Sequence, residues 1–246
     1  MDVYWLEQGE ADVPIENDWL SAAEALRLSG MRFAKRRADW RLGRWTAKNA
    51  VASYLHLHDQ IHSLAEIEIR SAQSGAPLVF FANNPAALTI SLSHRDGIAV
   101  CAVAPSKMAL GCDLEIIEPH SDPFLTDYFT AEEQALVARC ADRNLLLALL
   151  WSAKESALKA LGAGLSLNTR CVVVCPDDPS FDSAGWHSLQ VRLTSNRVFQ
   201  GWWQQKGKLV RTLVSNPASP YPTFLGSQLE RTAGTPYLDS AAVPAA

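Results

Sequence analysis

Two stretches of this chain set acids and bases where they could handle a metal ion and a phosphate. Leu110-Gly111-Cys112-Asp113-Leu114-Glu115 reads as a strand, so Asp113 and Glu115 leave one face and Leu114 the other. Two neighbouring carboxylates repel each other. A hard divalent cation relieves that repulsion, and Mg²⁺ takes one or two carboxylates while completing its shell with water and substrate phosphate. The alternative is a pair of acids on the solvated face of an edge strand. Downstream, Leu147 to Leu161 reads as a helix whose apolar stripe is Leu147, Leu150, Ala157 and Leu161, with position 154 inside it. Glu155 lies one turn after Trp151 and one turn before Lys159. Charges beside a core-facing stripe are costly unless something charged meets them. A phosphate would match Lys154 and Lys159, and a metal would match Glu155. The alternative is an exposed Glu155–Lys159 pair with Lys154 snorkelling to solvent.

Weaker signals surround these two. Ile90-Ser91-Leu92-Ser93-His94-Arg95-Asp96-Gly97 runs from a strand into a turn. The Ser93 hydroxyl, the His94 imidazole and backbone N–H groups then sit at a strand end, which suits a phosphate as well as an ordinary turn. Seven of the 22 Lys and Arg residues fall between Arg32 and Lys48. Arg37, Arg41, Arg44 and Lys48 share a helical face, either a solvated one or one that meets an anionic ligand or an acidic protein. His56, His58 and His62 find no further ligand at a metal-binding spacing and read as a polar helix end. The five cysteines are odd in number and none has the spacing of a zinc or redox motif. Cys171 and Cys175 read as strand-core thiols, and a reduced, cytoplasmic protein is expected.

Positioning these side chains takes a mixed fold. Glu16 to about Leu57 reads as helical, with Gly30 and Gly43 as candidate breaks. Strands are expected at Ile67–Arg70, Leu78–Phe81, Leu88–Ser91 and Ile98–Ala104, separated by Gly, Pro and Asn-rich turns. The cycle then repeats: a strand at Leu110–Glu115, a helix start at Thr130, helices near 131–142 and 144–161, and the Gly162 and Gly164 stop. Strands follow at Cys171–Cys175, Ser188–Leu193, Val198–Trp203 and Leu209–Val214. Helices then strands, twice, imply an α+β fold of two similar α/β halves with helices on small, mainly antiparallel sheets. The halves are residues 1–105 and 106–215, and the Pro- and Ala-rich residues 216–246 are expected to be extended or disordered. The 246 residues are 48% hydrophobic and 20% charged, an ordinary globular composition. A net charge of −4 argues against a general nucleic-acid binder. The apolar runs are too short for a membrane span, and no secretory leader is visible.

Taken together, these segments resemble the 4′-phosphopantetheinyl transferase superfamily in its larger, surfactin-synthetase-activating type. The family pattern Gly-x-Asp-x-Glu stands here as Gly111-Cys112-Asp113-Leu114-Glu115. Trp/Phe-Ser-x-Lys-Glu-Ala/Ser-x-x-x-Lys stands as Trp151-Ser152-Ala153-Lys154-Glu155-Ser156-Ala157-Leu158-Lys159. Ser93-His94-Arg95-Asp96-Gly97, Tyr128-Phe129-Thr130-Ala131-Glu132-Glu133 and Gly162-Ala163-Gly164-Leu165-Ser166-Leu167 match further family elements. Two departures stand out. Gly75-Ala76-Pro77 lacks the family lysine that helps hold coenzyme A, and Trp151 with Ser156 mixes two subtypes.

The resemblance implies a pseudo-twofold, monomeric enzyme with coenzyme A bound between its halves, since smaller family members build the same site between subunits. Asp113, Glu115 and Glu155 would hold Mg²⁺, or Mn²⁺ in its place, against the diphosphate. Lys154, Lys159 and His94, with Ser93, would meet phosphate, and Arg41, Arg44 or Lys48 would reach the 3′-phosphate or adenosine end. A serine of an apo acyl or peptidyl carrier protein would attack the β-phosphate and release 3′,5′-ADP. Glu155 is the expected base, with Glu132 or Glu133 as the rival, and Lys154 and Asp113 complete the catalytic set. A Mg²⁺-dependent hydrolase of the coenzyme A diphosphate, or a non-catalytic module binding coenzyme A or a carrier protein, could use the same residues.

Overall fold

The computed structural model describes residues 1–57, 61–162, 167–177 and 185–226. The chain begins with β1 (Tyr4–Gly9), then α1 (Ala22–Ser29), α2 (Ala34–Tyr54) and α3 (Ile61–Glu66). Strands β2 (Ile67–Ser71), β3 (Pro77–Phe81), β4 (Asn84–Pro85), β5 (Leu88–Arg95) and β6 (Ile98–Pro105) follow. The second cycle is β7 (Ala109–Ile116), α4 (Asp122–Tyr128), α5 (Ala131–Arg139), α6 (Arg143–Ala160), β8 (Val172–Pro176), β9 (His187–Leu193), β10 (Val198–Lys206) and β11 (Leu209–Asn216), with β12 (Thr223–Phe224) last.

This is the expected α+β architecture. One sheet has the order β12-β1-β6-β5, a second β7-β11-β10-β9-β8 and a third β2-β3-β4. All pairings are antiparallel except β1 with β12. The long helical stretch expected from residue 16 is two helices, because Gly30 closes α1 while Gly43 is absorbed inside α2. Strands β1, β4 and β12 and helices α3 and α4 are unforeseen elements. No described helix is long and apolar enough to cross a membrane.

Three apolar clusters organise the molecule. Leu6, Trp19, Val51, Ile67, Ile69 and Cys101 belong to the core of the first half, where α2 packs on β6 and β1. Leu147, Leu150, Ala157, Val172, Val174 and Phe199 belong to the core under α6. Between them Trp5, Val100, Ala102, Leu110, Cys112, Leu114 and Leu213 form a third cluster that joins the halves. Strand β7 serves both neighbours by alternation: Leu110, Cys112 and Leu114 enter the joining cluster, and Gly111, Asp113 and Glu115 face α6.

The Pro-rich segment does not begin as a loose tail. Thr223 pairs with Tyr4 and Phe224 with Trp5, Ser219 accepts a hydrogen bond from the Val3 N–H (3.1 Å), and Leu225 enters the first core. The Val3 and Trp5 carbonyls accept from the Thr223 and Leu225 N–H groups, and these bonds with one apolar side chain supply what a short segment needs to order. Residues 227–246 of the expected tail lie outside the described residues, as do Gly164, Leu165, Ser166 and His58.

Candidate active site

The approach of α6 to β7 builds the site. A Cβ on Gly111 would lie 1.7 Å from the Ser156 carbonyl oxygen, so no larger residue admits this backbone contact. Ser152 and Ser156 hydroxyls meet the Thr212 hydroxyl at 2.8 and 2.7 Å, all three fully buried, and Thr212 pairs with Asp113 across β11 and β7. These polar contacts fix the helix in rotation and along its axis, because each hydroxyl would otherwise be buried without a partner. Helix α6 closes on Gly162 at φ +66°, a conformation that glycine adopts without steric cost.

Asp113 is the centre. Its Oδ1 accepts from Ser93 (2.8 Å) and from the Lys159 ammonium (2.7 Å), while its buried Oδ2 has no hydrogen-bond partner. Lys159 also donates to the Cys112 carbonyl at 3.0 Å. Burial alone would lower the Lys159 pKa, but the charge of Asp113, with smaller help from Cys112 and Glu155, turns the shift upward. Glu115 accepts from the Trp151 indole N–H at 3.1 Å and faces the Arg95 guanidinium at 3.7 Å. Burial, then the charge of Asp113, pushes the Glu115 carboxyl up to about 7, against the pull of Arg95. Burial and Asp113 also raise Glu155.

Asp113, Glu115, Glu155 and Lys159 are therefore electrostatic neighbours. Among the described residues, however, no three His, Cys, Asp or Glu side chains are gathered round a common point as metal ligands. Lys159 and Ser93 hold Asp113, and Trp151 and Arg95 hold Glu115. The donor chemistry nonetheless fits Mg²⁺: carboxylate oxygens only, one of them a buried acceptor with nothing to accept from.

Other expected site residues have different places. Lys154 is fully buried, and its three donors go to Glu133 (2.9 Å), the Thr169 carbonyl (3.0 Å) and the Val172 carbonyl. An ammonium has three N–H groups, so none is left for a phosphate. Lys48 is equally saturated by Glu24 (2.6 Å) and the Trp19 and Leu64 carbonyls (both 2.9 Å). Arg44 is buried 3.7 Å from Glu24 and lies over Trp40. Arg41 donates to the carbonyls of Pro14 and Ile15, tying the segment before α1 to α2. The basic stripe thus runs from solvent at Arg37 into the core at Lys48. The rival bases recede too. Glu133 is buried in its ion pair, and Glu132 is exposed in a separate cavity with Val173 and Arg192. His94 is exposed in a cavity of about 510 Å³ with Phe33, Lys35, Arg36 and Trp40.

A larger cavity of about 700 Å³ opens between the halves. Pro77, Leu78, Phe80 and Leu88 line one side, Met108 and Leu110 another, and Ser91 and Lys159 bring it to the acids. Gly75, Ala76 and Pro77 stand in its wall and bring no charge there.

Compared with known families, residues 109–202 match the model of the 4′-phosphopantetheinyl transferase superfamily. That stretch is less than half of the 246-residue chain and spans β7, Lys159 and all three carboxylates of the site. It supports a phosphopantetheinyl transferase role. No curated protein matches the chain.

Sequence reasoning missed three contributors. Trp151 orients Glu115, Thr212 seats α6, and Arg95 faces Glu115 and partly offsets the rise of its pKa. Trp151 carried a signal, lying one helical turn before Glu155, whereas Thr212 and Arg95 are distant in sequence from the acids they serve.

Proposed function

We propose that this protein transfers the 4′-phosphopantetheine group of coenzyme A to a serine of an apo acyl or peptidyl carrier protein, with Mg²⁺, releasing 3′,5′-ADP. One observation carries the reading. Lys159, paired with Asp113 and close to two further carboxylates of raised pKa, also stands in the lining of a mainly apolar cavity of about 700 Å³. An elongated ligand with a charged centre and less polar arms suits such a place.

Phosphoryl transfer needs chiefly positioning and charge neutralisation. Lys159 supplies a fixed positive charge at the diphosphate, while the one hydroxyl hydrogen of Ser93 is engaged by Asp113 and His94, on the other face of β5, opens to the cavity of Phe33, Lys35, Arg36 and Trp40. Asp113, Glu115 and Glu155 would hold Mg²⁺, whose charge would offset that of the diphosphate. Glu155, raised in pKa first by its burial and then by the charge of Asp113, is poised to take the proton from the carrier serine. The serine oxygen then bonds to the β-phosphorus as the bond from that phosphorus to the bridging oxygen breaks, and 3′,5′-ADP departs with the bridging oxygen. Lys154 serves by holding α6 and α5 together, not by touching phosphate.

The test is to incubate the protein with Mg²⁺, coenzyme A and an apo carrier protein and to weigh the carrier. A gain of one phosphopantetheine unit is expected. Free 4′-phosphopantetheine with an unchanged carrier would replace transfer with hydrolysis, and no product with retained coenzyme A binding would leave a binding module.

A further inference from the structure

With Lys48 and Lys154 saturated by their own carboxylates and carbonyls, and Arg41 and Arg44 engaged inside the first half, the ion pairs to Asp113 and Glu115 among the described residues come from two basic side chains. One is Lys159, from the second half. The other is Arg95, the last residue of β5 in the first half. Its Nε lies 3.7 Å from Glu115 Oε2, and its Nη2 donates to Glu118 Oε1 at 3.0 Å. Its side chain is nevertheless 44% exposed, a guanidinium spread over two carboxylates and still open to solvent.

The local chain presents Arg95 rigidly. Arg95 pairs with Ile98 across a two-residue turn, and that turn is Asp96-Gly97, both at positive φ (+51° and +73°). This is the tight hairpin turn that Asp-Gly favours, and it fixes where β5 ends. Ser93, two residues earlier on the same strand, already donates to Asp113. Ser93 and Arg95 therefore address the two acids of β7 from one edge of the first half. A guanidinium there suits the paired oxygens of a diphosphate better than a single ammonium does.

We infer that Arg95 is a diphosphate-binding residue, held in readiness by Glu118 and Glu115 and donating to the diphosphate oxygens opposite Lys159. The inference rests on the transfer reading above for its substrate, though not for its chemistry. Glu115 is the partner Arg95 gives up when a diphosphate arrives, and Glu118 is the tether it keeps. Gripping the donor from both halves also places the diphosphate at their junction, beside the cavity of about 700 Å³.

Calorimetric titration of the full chain in Mg²⁺, with coenzyme A and separately with inorganic pyrophosphate, tests this. Arg95→Gln should weaken both ligands by about tenfold, the worth of one charge-assisted contact, and leave 4′-pantetheine, which has no phosphate, unaffected. Arg95→Lys should recover part of the loss, and Glu118→Gln should cost only about threefold. Thermal melts of each variant show whether it folds. Unchanged coenzyme A and pyrophosphate binding in a folded Arg95→Gln would overturn the inference and leave the transfer reading standing. If the parent chain binds pyrophosphate but not coenzyme A, and Arg95→Gln weakens the pyrophosphate, the inference survives and the transfer reading falls. A parent chain that binds neither ends both.

Discussion

The two halves hold the same internal device and put it to different surroundings. In the first, Ser21 and Glu24 form a capping box on α1; Glu24 then accepts from the Ile69 N–H of β2 and pairs with Lys48 of α2. In the second, Thr130 and Glu133 form a capping box on α5; Glu133 accepts from the Val174 N–H of β8 and pairs with Lys154 of α6. Even the aromatic before each cap recurs, Trp19 under Lys48 and Phe129 under Lys154. Burial lowers both lysine pKa values against the pull of their glutamates. What differs is the ground one residue further along each helix. Aligned on the lysines, Glu155 and Lys159 correspond to Asn49 and Ser53. The strand facing α2 offers Tyr4 and Leu6, where β7 offers Gly111, Asp113 and Glu115. A feature present in both halves belongs to the fold, and a feature present in one belongs to the chemistry.

That contrast is open to attack at several points. The largest effect belongs to the unrepeated cluster: Glu155→Gln should lower carrier-protein modification by about 10²- to 10⁴-fold while circular dichroism and melting stay near the parent. Asn49→Ala, at the corresponding place in the first half, should leave the rate within about twofold. Next come the repeated lysines. Lys48→Met and Lys154→Met should each cost about 3–5 kcal/mol in denaturant unfolding, because each strands a buried glutamate, and Lys154→Met paired with Glu133→Gln should recover part of it. If Lys154→Met kept full stability and lost only activity, Lys154 would belong to the chemistry and the comparison would fail.

A smaller loss is expected on the seat of α6. Thr212→Val removes a hydroxyl shared by Ser152 and Ser156 and should cost about 1–3 kcal/mol of stability, and Thr212→Ser should restore it. Its signature beyond stability is a weaker Mn²⁺ affinity, read by spin-label-free electron paramagnetic resonance titration, since α6 carries Glu155 toward Asp113. Last is pH. The Glu115 carboxyl is raised to about 7 by burial and Asp113, so its folded pKa lies above the unfolded value. Without metal, this group is neutral and harmless at low pH, and stability falls as pH rises from the ordinary carboxylate range through about 7. Metal binding must displace that proton, so Mg²⁺ affinity should rise by about tenfold per pH unit below 7 and level off above it. A flat profile from pH 5 to 8 would place Glu115 outside the metal site.

Much of the fold was legible because it is written in local pattern. The alternation Leu110, Cys112, Leu114 against Asp113 and Glu115 placed both acids on one face of a strand, as found. Thr130 with two acids in the first turn marked a helix start, and the capping box is there. The segment Leu147 to Leu161 was readable as a helix with Glu155 and Lys159 one turn apart. Where the reading strayed, distance along the chain is the cause. Lys154 and Lys48 look like phosphate ligands until Glu133 and Glu24 appear beside them, and the sequence does not reveal which buried acid meets which buried base.

The residues alone therefore determined the types of chemistry available: carboxylates for a hard cation, a lysine one turn from a glutamate, and strands and helices in the order that an α+β fold requires. Those follow from periodicities of two and 3.6, which need no knowledge of neighbours. Tertiary structure decided the assignments. It gave Lys159 to Asp113 and Lys154 to Glu133, brought Arg95 and Ser93 across from the first half, and let α6 rest on Gly111. The reason is that a charge takes its meaning from what lies within a few ångströms of it, and those partners are set by packing, not by position in the chain.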